Sequence, residues 1–247
     1  MKLRRYRLLR ISRLRFPLGR SIVVALALGV LVAALAGAAD PYRQTREFRE
    51  VVACERASGD CFDKEPVTIV DLSTYTTTST TTTMQTDVNG NTHMSTTTTT
   101  DTHHMVTWQR ADGSQQSRDM TSTFYSKAKK GEPAALRFYR GELVGVEVTG
   151  GAEWFLPYSG AHLALWLFLA YFGLGILLWG LFGWWDEFFL LVSHTFSWMF
   201  MGAPLLLMTT YALAYGLATG AELVIQIGIV LLFSVPGAVM LVSSLND

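Results

Sequence analysis

The side chains able to do chemistry are few and widely spaced. Cys54 and Cys61 are the only cysteines of the 247-residue chain, and three of its five histidines, His93, His103 and His104, fall within one threonine-rich stretch. Asp186, Glu187 and His194 place two acids and an imidazole between apolar runs. On one extended strand His93 and His103 share a face, but ten residues at about 3.3 Å each hold them some 33 Å apart. His103 and His104 point to opposite faces, so no two of the three can share a metal within one strand. They read as exposed strand histidines. Asp186, Glu187, Ser193 and His194 lie on one helical arc that could form an interfacial acid–base or metal cluster. Leu190 interrupts that arc, and a solvated helix face is the plainer reading. GxSxG, HExxH, Walker A and GxGxxG patterns are all missing, so hydrolase, metalloprotease and nucleotide chemistry lack their residues. No catalytic residue, cofactor, metal or nucleic-acid partner is expected. Cys54 and Cys61 match no metal or redox spacing, and whether they form a disulfide depends on compartment.

The surrounding elements decide the compartment. All 20 Lys and Arg residues lie between Lys2 and Arg140, where 13 acids accompany them; residues 141–247 carry seven acids and no base. The two halves cancel to a formal net charge of zero. Crossing about 30 Å of hydrocarbon takes about 20 apolar residues. The run 22–39 and the segments 161–183, 188–218 and 223–245, of 18, 23, 31 and 23 residues, suit that length. Eight basic residues and no acid occupy positions 1–21. Such residues are retained on the cytoplasmic side, which places the N-terminus inside and residues 40–160 outside. Ala36-Gly37-Ala38 also fits a signal-peptide cleavage site, so the first span is either an anchor or a removed leader. Either way the polar region is exported, and Cys54–Cys61 reads as a disulfide closing the loop CERASGDC.

Threonine dominates residues 67–108 with no proline between Pro66 and Pro133, which disfavours a glycosylated stalk and favours pleated strands. Asn89-Gly90 is the strongest two-residue hairpin signal in the chain. Centred there, the arms pair Thr83 with Thr96, Thr80 with Thr99 and Tyr75 with His104. One long ribbon results, polar on both faces near its tip. At its base Val67, Ile69, Val106 and Trp108 share a face directed to a core, while Val70 and Leu72 point away. Further strands are expected at 115–124 and on both sides of Arg140-Gly141, giving an antiparallel sheet of about five strands that ends at Gly150-Gly151.

The N-terminal span, the small β-domain with KKGEPAALRFYRGELVGVEV as strand–turn–strand, and the hydrophobic C-terminal end together resemble uncharacterised actinobacterial integral membrane proteins. The resemblance covers the layout and roughly residues 105–150, excludes the threonine ribbon, and implies no activity.

The expected architecture is thus an α+β membrane protein with about four transmembrane helices. Residues 1–39 form the basic tail and first span, 40–160 the extracytoplasmic β-domain with its Thr-rich hairpin, and 161–247 a bundle of about three helices. The 31-residue segment either divides into an interfacial piece, 186–196, and a span, 197–218, or forms one long tilted helix. Ala212, Gly216 and Gly220 recur every four residues and suit close helix packing. Arg13, Arg15 and Arg20 are the cations expected to meet Asp186 and Glu187. The functional expectation is a non-enzymatic protein of the cell membrane whose partners are the bilayer and a protein bound through the exported domain. A small channel or transport-complex subunit capped by that domain is the alternative.

Overall fold

The computed structural model describes residues 18–86, 92–182 and 188–244. These residues contain a six-stranded antiparallel sheet and four helices long and apolar enough to cross a membrane. The chain separates into two units, Val51–Pro157 and the remainder.

Helix α1 covers Leu18–Ser58, 41 residues, or about 60 Å at 1.5 Å per residue. That is about twice the hydrocarbon thickness. Residues 40–58, expected within the β-domain, are therefore helical. Pro41 does not end the helix, and the sequence beyond it is rich in Arg, Glu and Gln, all good helix formers. Side chains one turn apart support it: Gln44 donates to Asp40 at 2.6 Å, and Arg46 faces Glu50 at 3.9 Å. Gly59 stops it by taking φ +76° and donating its N–H to the Glu55 carbonyl at 2.8 Å, a left-handed cap that other residues adopt at a cost. Cys54 and Cys61 lie at disulfide distance across this stop, with Cα atoms 6.0 Å apart.

The strands are β1 (Asp63–Thr86), β2 (Thr92–Gln109), β3 (Gln115–Met120), β4 (Pro133–Tyr139), β5 (Glu142–Val148) and β6 (Gly151–Trp154), arranged 3-2-1-4-5-6. A four-residue helix, α2 (Ser122–Tyr125), replaces the second half of the expected third strand. Thr121 caps it with its side chain. Arg140 and Gly141 join β4 to β5 with φ +53° and +80°, the backbone a two-residue hairpin loop demands. Gly150 turns the chain once more, so the sheet gains β6 where it was expected to end.

β1 and β2 form the long ribbon, but in a different register from the one centred on Asn89-Gly90. Thr83 faces Ser95, Thr80 faces Thr98 and Tyr75 faces His103. Asn89 and Gly90 themselves lie outside the described residues. Between Ile69 and Asp71 the register shifts by a bulge. An extra residue at a bulge reverses the alternation of every residue after it. Leu72 consequently packs against the core, which corrects its expected outward placement. Val67, Ile69, Val106 and Trp108 do lie together in that core, with Leu136, Val146 and Phe124.

In the other unit α3 covers Tyr158–Phe182, α4 Phe188–Tyr215 and α5 Ala221–Ser244. α4 is one helix with Pro204 inside it, so the longer of the two expected forms occurs. Tyr171 of α3 and Trp198 of α4 stack at 4.7 Å. The Tyr171 hydroxyl donates to the Trp198 carbonyl at 3.1 Å, and Trp198 Nε1 donates back to the Tyr171 carbonyl at 2.9 Å. Glycine makes room for each ring: a methyl group on Gly175 would meet Trp198 at 2.6 Å, and one on Gly202 would strike Tyr171. Gly216 and Gly220 take φ +88° and +65° beyond the end of α4. They are turn residues, so Ala212, Gly216 and Gly220 form no continuous packing face.

Two stability predictions follow from these contacts. Trp108→Ala should destabilise the sheet unit by about 3–5 kcal/mol, read by denaturant titration of the detergent-solubilised chain. Trp108→Phe should lose much less, because Trp108 Nε1 makes no hydrogen bond; equal losses would refute that packing account. Gly202→Ala should lower the thermal midpoint in detergent, whereas Gly228→Ala, with open space around the new methyl, should not.

Candidate functional site

The ribbon is the feature that the core does not require. Both its faces are exposed from residue 73 to 84 and from 92 to 102. Side chains alternate between faces along each strand, so the register divides them cleanly. One face carries Thr76, Thr78, Thr80 and Thr82 opposite Thr102, Thr100, Thr98 and Thr96, four uninterrupted threonine rungs. The Met84–Met94 rung follows, with the two side chains 71% and 68% exposed. The opposite face is mixed: Tyr75 with His103, Thr77 with Asp101, Ser79 with Thr99, Thr81 with Thr97.

A clamp holds the root of this ribbon. The His103 ring stacks on Tyr75 at 4.6 Å. Its Nδ1 donates to Asp119 Oδ2 at 2.6 Å, and its Nε2 lies 2.9 Å from Thr77 Oγ1. Asp119, on β3, also accepts the backbone N–H of His104 at 2.9 Å. The His103 side chain, the His104 N–H and a small coulombic contribution hold the Asp119 carboxyl below its ordinary range, with burial opposing weakly. Carboxylate, imidazole and hydroxyl in a line have the connectivity of a hydrolytic triad. Here, however, Asp101 stands directly opposite Thr77, and a carboxylate there would repel the oxyanion that such chemistry must stabilise. The arrangement ties the root of the ribbon to β3.

Beside the clamp, Thr102, His104, Asp119, Met120, Thr121, Ser122 and Glu153 line an open cleft of about 530 Å³. Its acids are already engaged, because Glu153 accepts the Thr121 N–H and hydroxyl, both at 3.0 Å. The His104 ring packs on Tyr125 at 4.9 Å. Among the described residues, no three His, Cys, Asp or Glu side chains could hold a metal.

A buried charge network fixes the strand that carries the ribbon. The Glu55 side chain, 4% exposed, meets Lys64 at 2.9 Å and Arg137 at 3.4 Å, and accepts the Cys61 N–H at 2.8 Å. Arg137 also reaches Glu147 at 2.7 Å and covers the Trp154 ring at 4.6 Å. Together with Cys54–Cys61, these contacts tie the end of α1 to the start of β1. The cysteine pair was legible by count. The Glu55–Arg137 pairing was not, since 82 positions separate the partners.

Asp186 and Glu187 lie outside the described residues, and of His194 only the helical backbone is described, so their cluster is not seen. Arg20, expected near those acids, donates to the carbonyls of Gly180 and Leu181 at 2.6 and 2.5 Å. Those are orphan acceptors at the C-terminal end of α3, where a cation is favoured.

No family model, no curated protein and no solved structure matches the chain.

The clamp should be sensitive to acid. A carboxyl whose folded pKa is depressed contributes stability that is present above its unfolded pKa of about 3.9. That contribution disappears as pH falls through the lower folded value. Thermal midpoints measured from pH 6 to pH 2 should therefore fall less steeply for Asp119→Asn than for the natural chain below about pH 4. Superimposable profiles would show that the clamp contributes nothing.

Proposed function

We propose that the protein is a non-enzymatic, multi-pass membrane protein that presents its sheet unit outside the cytoplasm as a platform for the threonine ribbon, which engages a protein partner. The observation that carries this reading is the ribbon itself. Its two faces are exposed over more than ten residues on each arm, it contributes nothing to the core, and yet its root is clamped and its strand anchored. A strand pair so held presents backbone and hydroxyl groups for strand addition.

Several features support the membrane setting. The most apolar windows of the four candidate spans bury only 11%, 22%, 17% and 6% of their residues within the protein. Apolar surface on that scale calls for lipid or another protein to cover it. The eight basic residues at positions 1–21 favour an internal N-terminus. That orientation leaves the cysteine pair in an oxidising compartment. The resemblance to actinobacterial integral membrane proteins agrees with the layout and supplies no activity. The channel alternative draws no support from the α4–α5 cleft of about 440 Å³. Phe200, Leu207, Met208, Ile229 and Phe233 line it, with Gln226 as its one amide, and such a wall offers an ion few ligands.

The test trims the ribbon without touching its clamp. Residues 78–100 are replaced by Asn-Gly in the full-length chain, and partners are captured from intact membranes by cross-linking. The trimmed protein should insert to the same level and lose its cross-linked partners. Retention of every partner would defeat the display reading.

A further inference from the structure

We infer that the ribbon's partner is a second copy of this chain, joined edge to edge so that β1 of one copy pairs with β2 of the next. This rests on the display reading above and names its partner.

Open edges are the first observation. β1 pairs with β4 only up to Thr68, and β2 meets β3 only from His104 onward. Among the described residues no strand pairs with the outer side of β1 from residue 71 to 86, or of β2 from 94 to 102. An exposed edge is a template for another strand. Proteins that must stay apart guard such edges with Lys, Pro, bulges or inward charges. This chain uses those devices elsewhere. Lys64, Pro66 and the bulge after Ile69 occur where β1 runs through the sheet, and Lys127, Lys129 and Lys130 follow β3. Along those open edges there is no Lys, Arg, Glu or Pro, and the acids are Asp71 and Asp101, both near the root. Two such edges meet without like-charge repulsion.

Geometry selects the pairing. In copies whose ribbons point the same way, β1 strands run parallel to one another and antiparallel to every neighbouring β2. Antiparallel pairing is the stronger, so β1 meets β2 of the next copy. Residues opposite each other within a ribbon are then opposite each other between ribbons: Thr80 faces Thr98 of its own strand pair on one side and the Thr98 of a second copy on the other. The threonine rungs become continuous rows across copies. Such a contact is head-to-tail, leaving one edge of each kind free, so it extends until a ring closes.

The test co-expresses two differently tagged full-length chains, one carrying Thr80→Cys and the other Thr98→Cys, under mild oxidation in native membranes. The expected product is a species at twice the monomer mass that carries both tags. Thr80→Cys with Thr97→Cys, whose side chains point to opposite faces, should give little. Adding Thr78→Lys and Thr82→Lys to both chains should abolish the product while leaving the thermal midpoint unchanged. A product from Thr80→Cys alone, at the same yield, would overturn the head-to-tail geometry, and no product from any pair would overturn self-pairing. In that last case, partners lost on trimming residues 78–100 would leave the display reading standing with a different protein as its partner.

Discussion

The sheet unit depends on one strand changing its neighbour. β1 is paired with β4 from Asp63 to Thr68 and with β2 from Thr68 onward, so only around Thr68 does it have strands on both sides. Pro133, which has no N–H to give, closes the β4 ladder opposite Thr68. Loop backbone takes over for one step. Ile69 donates to the Glu132 carbonyl at 3.0 Å and accepts the Gly131 N–H at 2.7 Å. Beyond the bulge β1 belongs to the ribbon alone. Trp108, the largest fully buried side chain among the described residues, sits opposite Ile69 at this transfer point. A two-stranded ribbon is marginal in water by itself. Its order therefore comes from the packed transfer point and from the His103–Asp119 clamp one turn of the pleat above it.

What was legible in the sequence follows from how local each determinant is. Arg140-Gly141 announced its hairpin because the signal and the structure are the same two residues. The four base residues Val67, Ile69, Val106 and Trp108 were assigned to the core by alternation, which needs only neighbours. Leu72 was misplaced because a bulge reverses parity and nothing about Val70, as apolar as the residues around it, marks it as the extra one. The ribbon register was off by one for a related reason. An uninterrupted threonine run reads alike at either register, which leaves the turn residues as the sole local signal. The partner of His103 is invisible along its own strand, because Asp119 lies on the next one.

The helices teach the same distinction. Glycine spacing at Ala212, Gly216 and Gly220 looked like a packing face because spacing assumes that the helix continues. Helix α4 ends first, and the left-handed backbone of Gly216 shows what that glycine is for. The glycines that do allow close approach, Gly175 and Gly202, are recognisable only with the aromatic ring that occupies each space. Tyr171 and Trp198 satisfy one another's polar atoms while stacking, so two amphipathic rings stand in an apolar unit without an orphaned donor. That reciprocity requires both helices and cannot be read from either segment.

The uneven charge distribution gains a structural meaning from Arg20. With no Lys or Arg after residue 140, helices α3, α4 and α5 have no cation of their own to place at their C-terminal carbonyls. Exposed to water those carbonyls would be solvated; near an apolar boundary an unsatisfied acceptor is costly. For α3 the donor comes from 160 positions earlier, where Arg20 places its guanidinium on Gly180 and Leu181. A cation in the first turn of α1 thus completes the end of α3. This requires the start of α1 and the end of α3 to lie side by side. Antiparallel packing already delivers that, through Val24 against Gly180 and Ala27, Val30 and Leu31 against Gly173.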